Sequence, residues 1–136
     1  MARAVFEGLV YDEDGRPVES GYVGSEPVYI VEDGSFRYHL DARAVDAQVW
    51  SVLKEQIQQY EGLIADQAMR LLGRDDLFTR AAIVNAIRNF DQNWRQITEA
   101  GLPQPMRQYL GLLGFSIVVN RHGEVLKVHF PSAVDD

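Results

Sequence analysis

Residues 50–97 read WSVLKEQIQQYEGLIADQAMRLLGRDDLFTRAAIVNAIRNFDQNWRQI, and the spacing of their apolar side chains sets the fold class. Trp50, Leu53, Ile57, Tyr60, Ile64 and Leu71 recur at steps of three and four, with Gln67 interrupting the row. Ile83, Ile87, Phe90, Trp94 and Ile97 repeat the pattern after a short break. This period places each set on one face of a helix, and the break at Gly73, Arg74, Asp75 and Asp76 is too short for anything but a reversal. The spacing predicts an antiparallel helical hairpin over 42–100. The first helix is expected over about 42–72, capped by Asp41 and stopped by Gly73. The second is expected over about 76–100, with Asp75 as its cap, Asp76 at the positive end of its dipole and Gly101 as its stop. Gly62 costs about 1 kcal/mol relative to alanine inside a helix, so it marks a kink or an early end.

Both flanks read as strands. Residues 3–11 are expected to form a strand with Val5, Leu9 and Tyr11 on one face and Phe6 and Val10 on the other. Asp12-Glu13-Asp14-Gly15-Arg16-Pro17 is a turn, because aspartate opens turns and glycine accepts positive φ at little cost. Strand character returns at 21–24 and 28–31, where Pro27 implies a bend or an edge position. A second turn at Glu32-Asp33-Gly34-Ser35 leads into Phe36, Tyr38 and Leu40, which alternate with Arg37 and His39. Pro103 and Pro105 permit a short helix carrying Met106, Tyr109, Leu110 and Leu113. Phe115 to Asn120 and Glu124 to Phe130 form a hairpin around Arg121-His122-Gly123. The predicted class is α+β in a single domain: a β-meander over 1–41, the helical hairpin over 42–100, a short helix within 101–114, a β-hairpin over 115–130 and a loose tail over 131–136. The meander and final hairpin are expected to share one antiparallel sheet, since two strands alone are marginal. The alternative is a meander closed as its own small barrel.

Composition excludes several roles. The 136 residues carry a net charge of −7 and no cysteine, so disulfides and thiolate metal sites are ruled out. Nine acids and three bases fall in residues 1–41, eight of each in 42–112, and three acids and two bases in 113–136. A phosphate-binding surface needs clustered positive charge, and none is present. Neither nucleic acid nor a membrane is therefore an expected partner. No apolar run reaches the ~20 residues of a membrane span, and the first residues lack a signal peptide's apolar core. The expected location is cytoplasmic.

Catalytic motifs are missing. His39, His122 and His129 show no spacing that gathers a metal, which would need them to converge with a carboxylate. Asp12-Glu13-Asp14-Gly15 lacks the twelve-residue ligand pattern of an EF-hand loop. Gly21-Tyr22-Val23-Gly24-Ser25 has neither the lysine of a P-loop nor a helix directly after it. No Gly-x-Ser-x-Gly elbow exists, and nothing in the spacing of Glu7 and Glu26 specifies an acid–base pair. No cofactor is expected, and no enzymatic role.

The run Val10-Tyr11-Asp12-Glu13-Asp14-Gly15-Arg16-Pro17-Val18, with the later Asp33-Gly34-Ser35-Phe36, resembles two kinds of small β module. These are the carboxypeptidase regulatory-like sandwich and the PRC-type barrel. The resemblance covers about the first forty residues and implies a binding or assembly unit there.

The helices themselves point to assembly. A 30-residue helix spans roughly 45 Å, whereas a compact chain of this length has a radius of gyration near ~14 Å. The far end of the first helix therefore outreaches the core it should cover, and Tyr60, Leu63, Ile64, Leu71 and Leu72 need a partner. The expected packing or oligomer interface is Trp50, Leu53, Ile57, Tyr60, Ile64, Ile83, Ile87, Phe90 and Trp94. A second face, Phe78, Ala82, Asn85, Asn89 and Asn93, is small and amide-rich; small residues allow close helix approach and amides bond across interfaces. The leading expectation is a homodimer through residues 45–100, forming a four-helix bundle and serving as a self-associating interaction or scaffold module, with a separate protein partner also compatible. The alternative is a small-molecule binding module with a pocket lined by Tyr22, Tyr29, Tyr38 and Trp50. The third is a small hydrolase using His39 or His129 with a carboxylate.

Overall fold

The computed structural model describes residues 2–89, 92 and 94–130, apart from the side chain of Tyr109. The expected tail over 131–136, the ring of Phe90, and Asp91 and Asn93 lie outside the described residues. The protein is α+β, and the described residues form five helices and two three-stranded sheets. It divides into two compact units, Met1–Trp50 with Gln96–Asp136, and Ser51–Arg95. We call them the sheet unit and the helical unit.

In the sheet unit, β2 (Glu19–Val23), β3 (Glu26–Asp33) and β4 (Phe36–Asp41) form an antiparallel meander. Each connection is a two-residue Gly-Ser turn opened by a glycine at positive φ, 63° at Gly24 and 64° at Gly34, the conformation that two-residue hairpins demand of their first position. The central strand β3 runs through Pro27. Pro27 sits opposite Tyr22, one step beyond the closing pair Val23 and Glu26, so its nitrogen faces away from β2. On that side β4 reaches only as far as Val28. The missing donor therefore removes no ladder bond, and proline is tolerated inside a central strand.

The shared antiparallel sheet expected from the sequence does not form. A second sheet instead orders as β1 (Val10–Tyr11), β5 (Ser116–Val119) and β6 (Val125–His129), with β1 parallel to β5 and β5 antiparallel to β6. The meander is a separate open sheet, not a barrel.

The expected strand over 3–11 also shrinks to its last two residues. Val5 to Gly8 form a turn, with Leu9 N–H donating to Phe6 O at 2.9 Å. Buried backbone donors need partners, and here side chains supply them. Val5 N–H donates to Asp46 Oδ2 at 2.9 Å and Phe6 N–H to the Tyr29 hydroxyl at 3.0 Å. Val5, Phe6, Leu9 and Val10 are consequently all buried, where strand alternation would have split them between two faces.

Helix α1 (Ala42–Gln59) starts at Asp41, whose Oδ1 accepts Arg43 N–H. Its first half buries Ala42, Val45, Asp46, Val49 and Trp50, the i, i+3, i+4, i+7 stripe of a helix seated on a core. Gln48, on its exposed side, joins α1 to the last hairpin: its Nε2 donates to Gly123 O at 2.8 Å and its Oε1 accepts Val125 N–H at 3.0 Å. Helix α5 (Gln104–Leu112) precedes that hairpin. Phe115 leads into β5, its ring centroid 6.2 Å from that of Phe6 and 6.3 Å from that of Phe130.

The two long helices expected from the sequence are each broken. The first divides into α1 and α2 (Glu61–Leu72) at Tyr60, which takes φ −108°, ψ 21°. The hydrogen bonds from Tyr60 N to Gln56 O and from Ile64 N to Tyr60 O persist, so the break is a kink, two residues ahead of the helix-weakening Gly62. The second divides into α3 (Leu77–Arg88) and α4 (Trp94–Ala100). Asn85 and Asn89 lie in the last turn and cap of α3, and asparagine side chains compete with helical backbone bonds. Gly73 does stop α2: Gly73 N–H bonds Arg70 O and Arg74 N–H bonds Met69 O, a Schellman close. The cap of α3 is Asp76, which accepts Thr79 N–H at 2.8 Å; the expectation of Asp75 was one residue early.

Candidate functional site

Helices α2 and α3 run antiparallel, because Glu61 pairs with Arg88 while Asp66 pairs with Arg80. The Arg88 Nε lies 3.1 and 3.2 Å from the two oxygens of Glu61, a forked contact that fixes orientation as well as charge. Ala65 and Met69 are the residues that α2 buries.

Those are the only buried residues among the described residues of Ser51–Arg95. Helix α3 buries none of its side chains. A unit of this size barely sustains a fold even with a full core, and smaller ones use disulfides, metals or oligomerisation; the chain has no cysteine.

The expected interface residues are distributed as follows. Trp50 is buried in the sheet unit. Leu53, Ile57, Ile83, Ile87 and Trp94 are half-buried, and Tyr60 and Ile64 are exposed. Phe78, Ala82, Asn85 and Asn89 are all exposed, with Asn89 Nδ2 donating to Asn85 Oδ1 at 3.2 Å. Phe90 and Asn93, named for the same faces, are outside the described residues.

Four strongly exposed apolar residues lie at the turn end of the α2–α3 hairpin. Leu71 is 90% exposed, Leu72 61%, Leu77 81% and Phe78 89%. They flank the turn 73–76 on both sides. Leu77 was not singled out from the sequence, although its place directly after the capping aspartate was a usable signal. Arg70, Arg74 and Asp75 at the same end make no ion pair among the described residues.

The sheet unit holds two further features. An acidic cleft of about 340 Å3 is lined by Asp12, Glu13, Asp14, Glu32 and Asp33 together with Asn120, Arg121 and His122. Arg121 Nη1 donates to Asp33 Oδ2 at 2.8 Å. All three histidines are exposed, and no group of three or more histidine, aspartate or glutamate side chains among the described residues is arranged to hold a metal.

The second feature is Asp46, which sequence reasoning missed. Burial pushes its carboxyl up to about 7, against the pull of its bonds from Tyr29 and Val5. Burial likewise drives the Tyr29 hydroxyl well above its ordinary range. The signal was available in the sequence: Asp46 interrupts an otherwise apolar stripe at positions 42, 45, 46, 49 and 50. Of the four aromatic residues expected to line a pocket, Tyr29 and Trp50 are buried, Tyr38 is half-buried and Tyr22 is exposed.

No family model matches the chain, and no curated protein or solved structure matches it. Among the described residues, no helix is long and apolar enough to cross a membrane.

Proposed function

We propose that this protein is a self-associating module, and that two copies of the helical unit complete one another as a helical bundle. The observation that carries this reading is the near-absence of a core within Ser51–Arg95, where Ala65 and Met69 alone are buried among the described residues. Half-buried Leu53, Ile57, Ile83 and Ile87 lie at helical spacing, and a second hairpin offers the same stripe in return. Charge permits it. The helical unit has six acids and six bases, whereas the rest of the chain has fourteen acids and seven bases. Copies would therefore repel through the sheet unit and meet through the neutral one.

Association would make a two-fold homodimer, the commonest closed assembly. The test is sedimentation equilibrium across nanomolar to micromolar protein. The expected result is a dimer mass that dissociates on dilution, with Ile57→Asp and Ile87→Asp shifting the equilibrium to monomer. A wild-type monomer at tens of micromolar, with full helical circular dichroism, overturns the proposal.

A further inference from the structure

The two ends of the α2–α3 hairpin differ in what they leave unsatisfied. The open end closes its own charges through Glu61 and Arg88. The turn end leaves Arg70, Arg74 and Asp75 without ion pairs among the described residues, beside four apolar side chains that are mostly exposed. Exposed apolar patches of a few hundred Å2 on a soluble protein mark interaction sites. Asp76 at this end is engaged as the α3 cap, so the free charges here are two arginines and one aspartate, all within six residues of one another.

We infer that the turn end is the centre of the self-association surface, and that its occupant is the same turn of a second copy. The two hairpins then lie side by side with their turns at one end, and the two-fold axis runs along the helices. This inference rests on the self-association reading and fixes its geometry. Under that symmetry a residue pair made once is made twice. Arg74 of each copy faces Asp75 of the other, and Leu71, Leu72, Leu77 and Phe78 of both copies bury against each other. In the opposite arrangement, with the turn of one copy beside the open end of the other, Arg74 and Asp75 meet a Glu61 and an Arg88 that already hold each other. The charges therefore favour turn against turn. Unpaired charges around an apolar centre set orientation and partner choice more than raw affinity.

The absence of cysteine allows a clean distance measurement. Gly62→Cys, at the exposed open end of the hairpin and outside the proposed pairing, is spin-labelled in the full chain, and the pairwise distance is read by pulsed dipolar spectroscopy. Turn against turn places the two labels within the width of a helix pair, about 10–20 Å apart. The reverse arrangement separates them by an added hairpin length, roughly 18 Å for twelve residues. A single short distance supports the inference; a long one overturns it while leaving self-association intact. A wild-type chain that stays monomeric removes both.

Charge reversal gives a readout independent of the label. Arg74→Glu alone and Asp75→Arg alone should each weaken the dimer by about tenfold or more, and an equimolar mixture should recover a heterodimer. Both variants keep the Schellman close and the Asp76 cap, which use backbone atoms and Asp76 itself. No recovery on mixing, with both singles folded, overturns the pairing of Arg74 with Asp75.

Discussion

The Tyr29 hydroxyl donates to Asp46 Oδ1 at 2.5 Å, deep in the sheet unit, and the same hydroxyl accepts Phe6 N–H at 3.0 Å. With Val5 N–H on the other carboxylate oxygen, three segments distant in sequence close on one carboxyl group. Removing the hydroxyl leaves Phe6 N–H without its acceptor and Asp46 Oδ1 without its donor. Tyr29→Phe should cost about 1–3 kcal/mol, read as a lower urea midpoint at unchanged m-value. An unaltered midpoint would falsify the role assigned to this bond.

Asp46 should also imprint a pH dependence. Its folded pKa of about 7 stands above the ordinary 3.8. Between those values the folded state binds the proton and the unfolded state does not. The contribution of Asp46 is therefore fully present below about pH 4, declines by about 1.4 kcal/mol per pH unit as pH rises, and levels off above about 7. The difference between wild type and Asp46→Asn in stability-versus-pH profiles isolates this slope. Parallel profiles from pH 4 to 7 would show that Asp46 does not titrate there.

Gln48 reads the edge of the final hairpin as a strand would, with its Nε2 on Gly123 O and Oε1 on Val125 N–H. Gln48→Ala should cost about 0.5–1.5 kcal/mol. Gln48→Glu should cost more, because a carboxylate oxygen then confronts the Gly123 carbonyl. Amide hydrogen exchange at Val125 should speed up in both, while exchange in β3 stays as it was.

In the helical unit, Met69 is one of the two residues that α2 buries. Met69→Ala removes half of the described buried pair and, at the usual 2–5 kcal/mol for such a truncation, should melt part of the helical circular dichroism signal. A variant with wild-type helicity and midpoint would show that this burial contributes little.

Asp76 caps α3 through Thr79 N–H and also accepts the Thr79 hydroxyl, and these bonds hold its carboxyl below the ordinary range. Asp76→Ala should fray the first turn of α3, visible as faster amide exchange at Thr79 and Arg80. The wild type should show the same fraying as acid protonates Asp76, since a depressed pKa contributes stability that is lost as pH falls through it. Equal exchange in the variant and wild type at neutral pH would exclude the cap.

Much of the local structure was legible because single residues decide it. Gly34 and Gly73 adopt positive φ that other residues resist, so the turn after β3 and the stop of α2 could be read directly. Asp41 caps α1 with its own side chain. The hairpin over 115–130 follows from alternating apolar residues around Gly123. Tyr60, Ile64, Leu71 and Leu72, apolar positions at the far end of the first expected helix, are exposed.

Only the tertiary structure decided how the strands pair and where the long helices break. The sequence over 3–11 alternates well enough for a strand, yet Asp46 and Tyr29 satisfy its first buried donors, and a turn at Val5–Gly8 results. The β1–β5 pairing joins residues more than a hundred positions apart, and no local propensity encodes a parallel partner so distant. The kink at Tyr60 lies near Gly62 and the end of α3 falls at Asn89, and the penalties of these residues are small enough for packing to place both. Local conformation follows from the φ, cap or periodicity of a few residues; sheet partnership and buried polar bonds follow from which donors are left without water once the chain has closed.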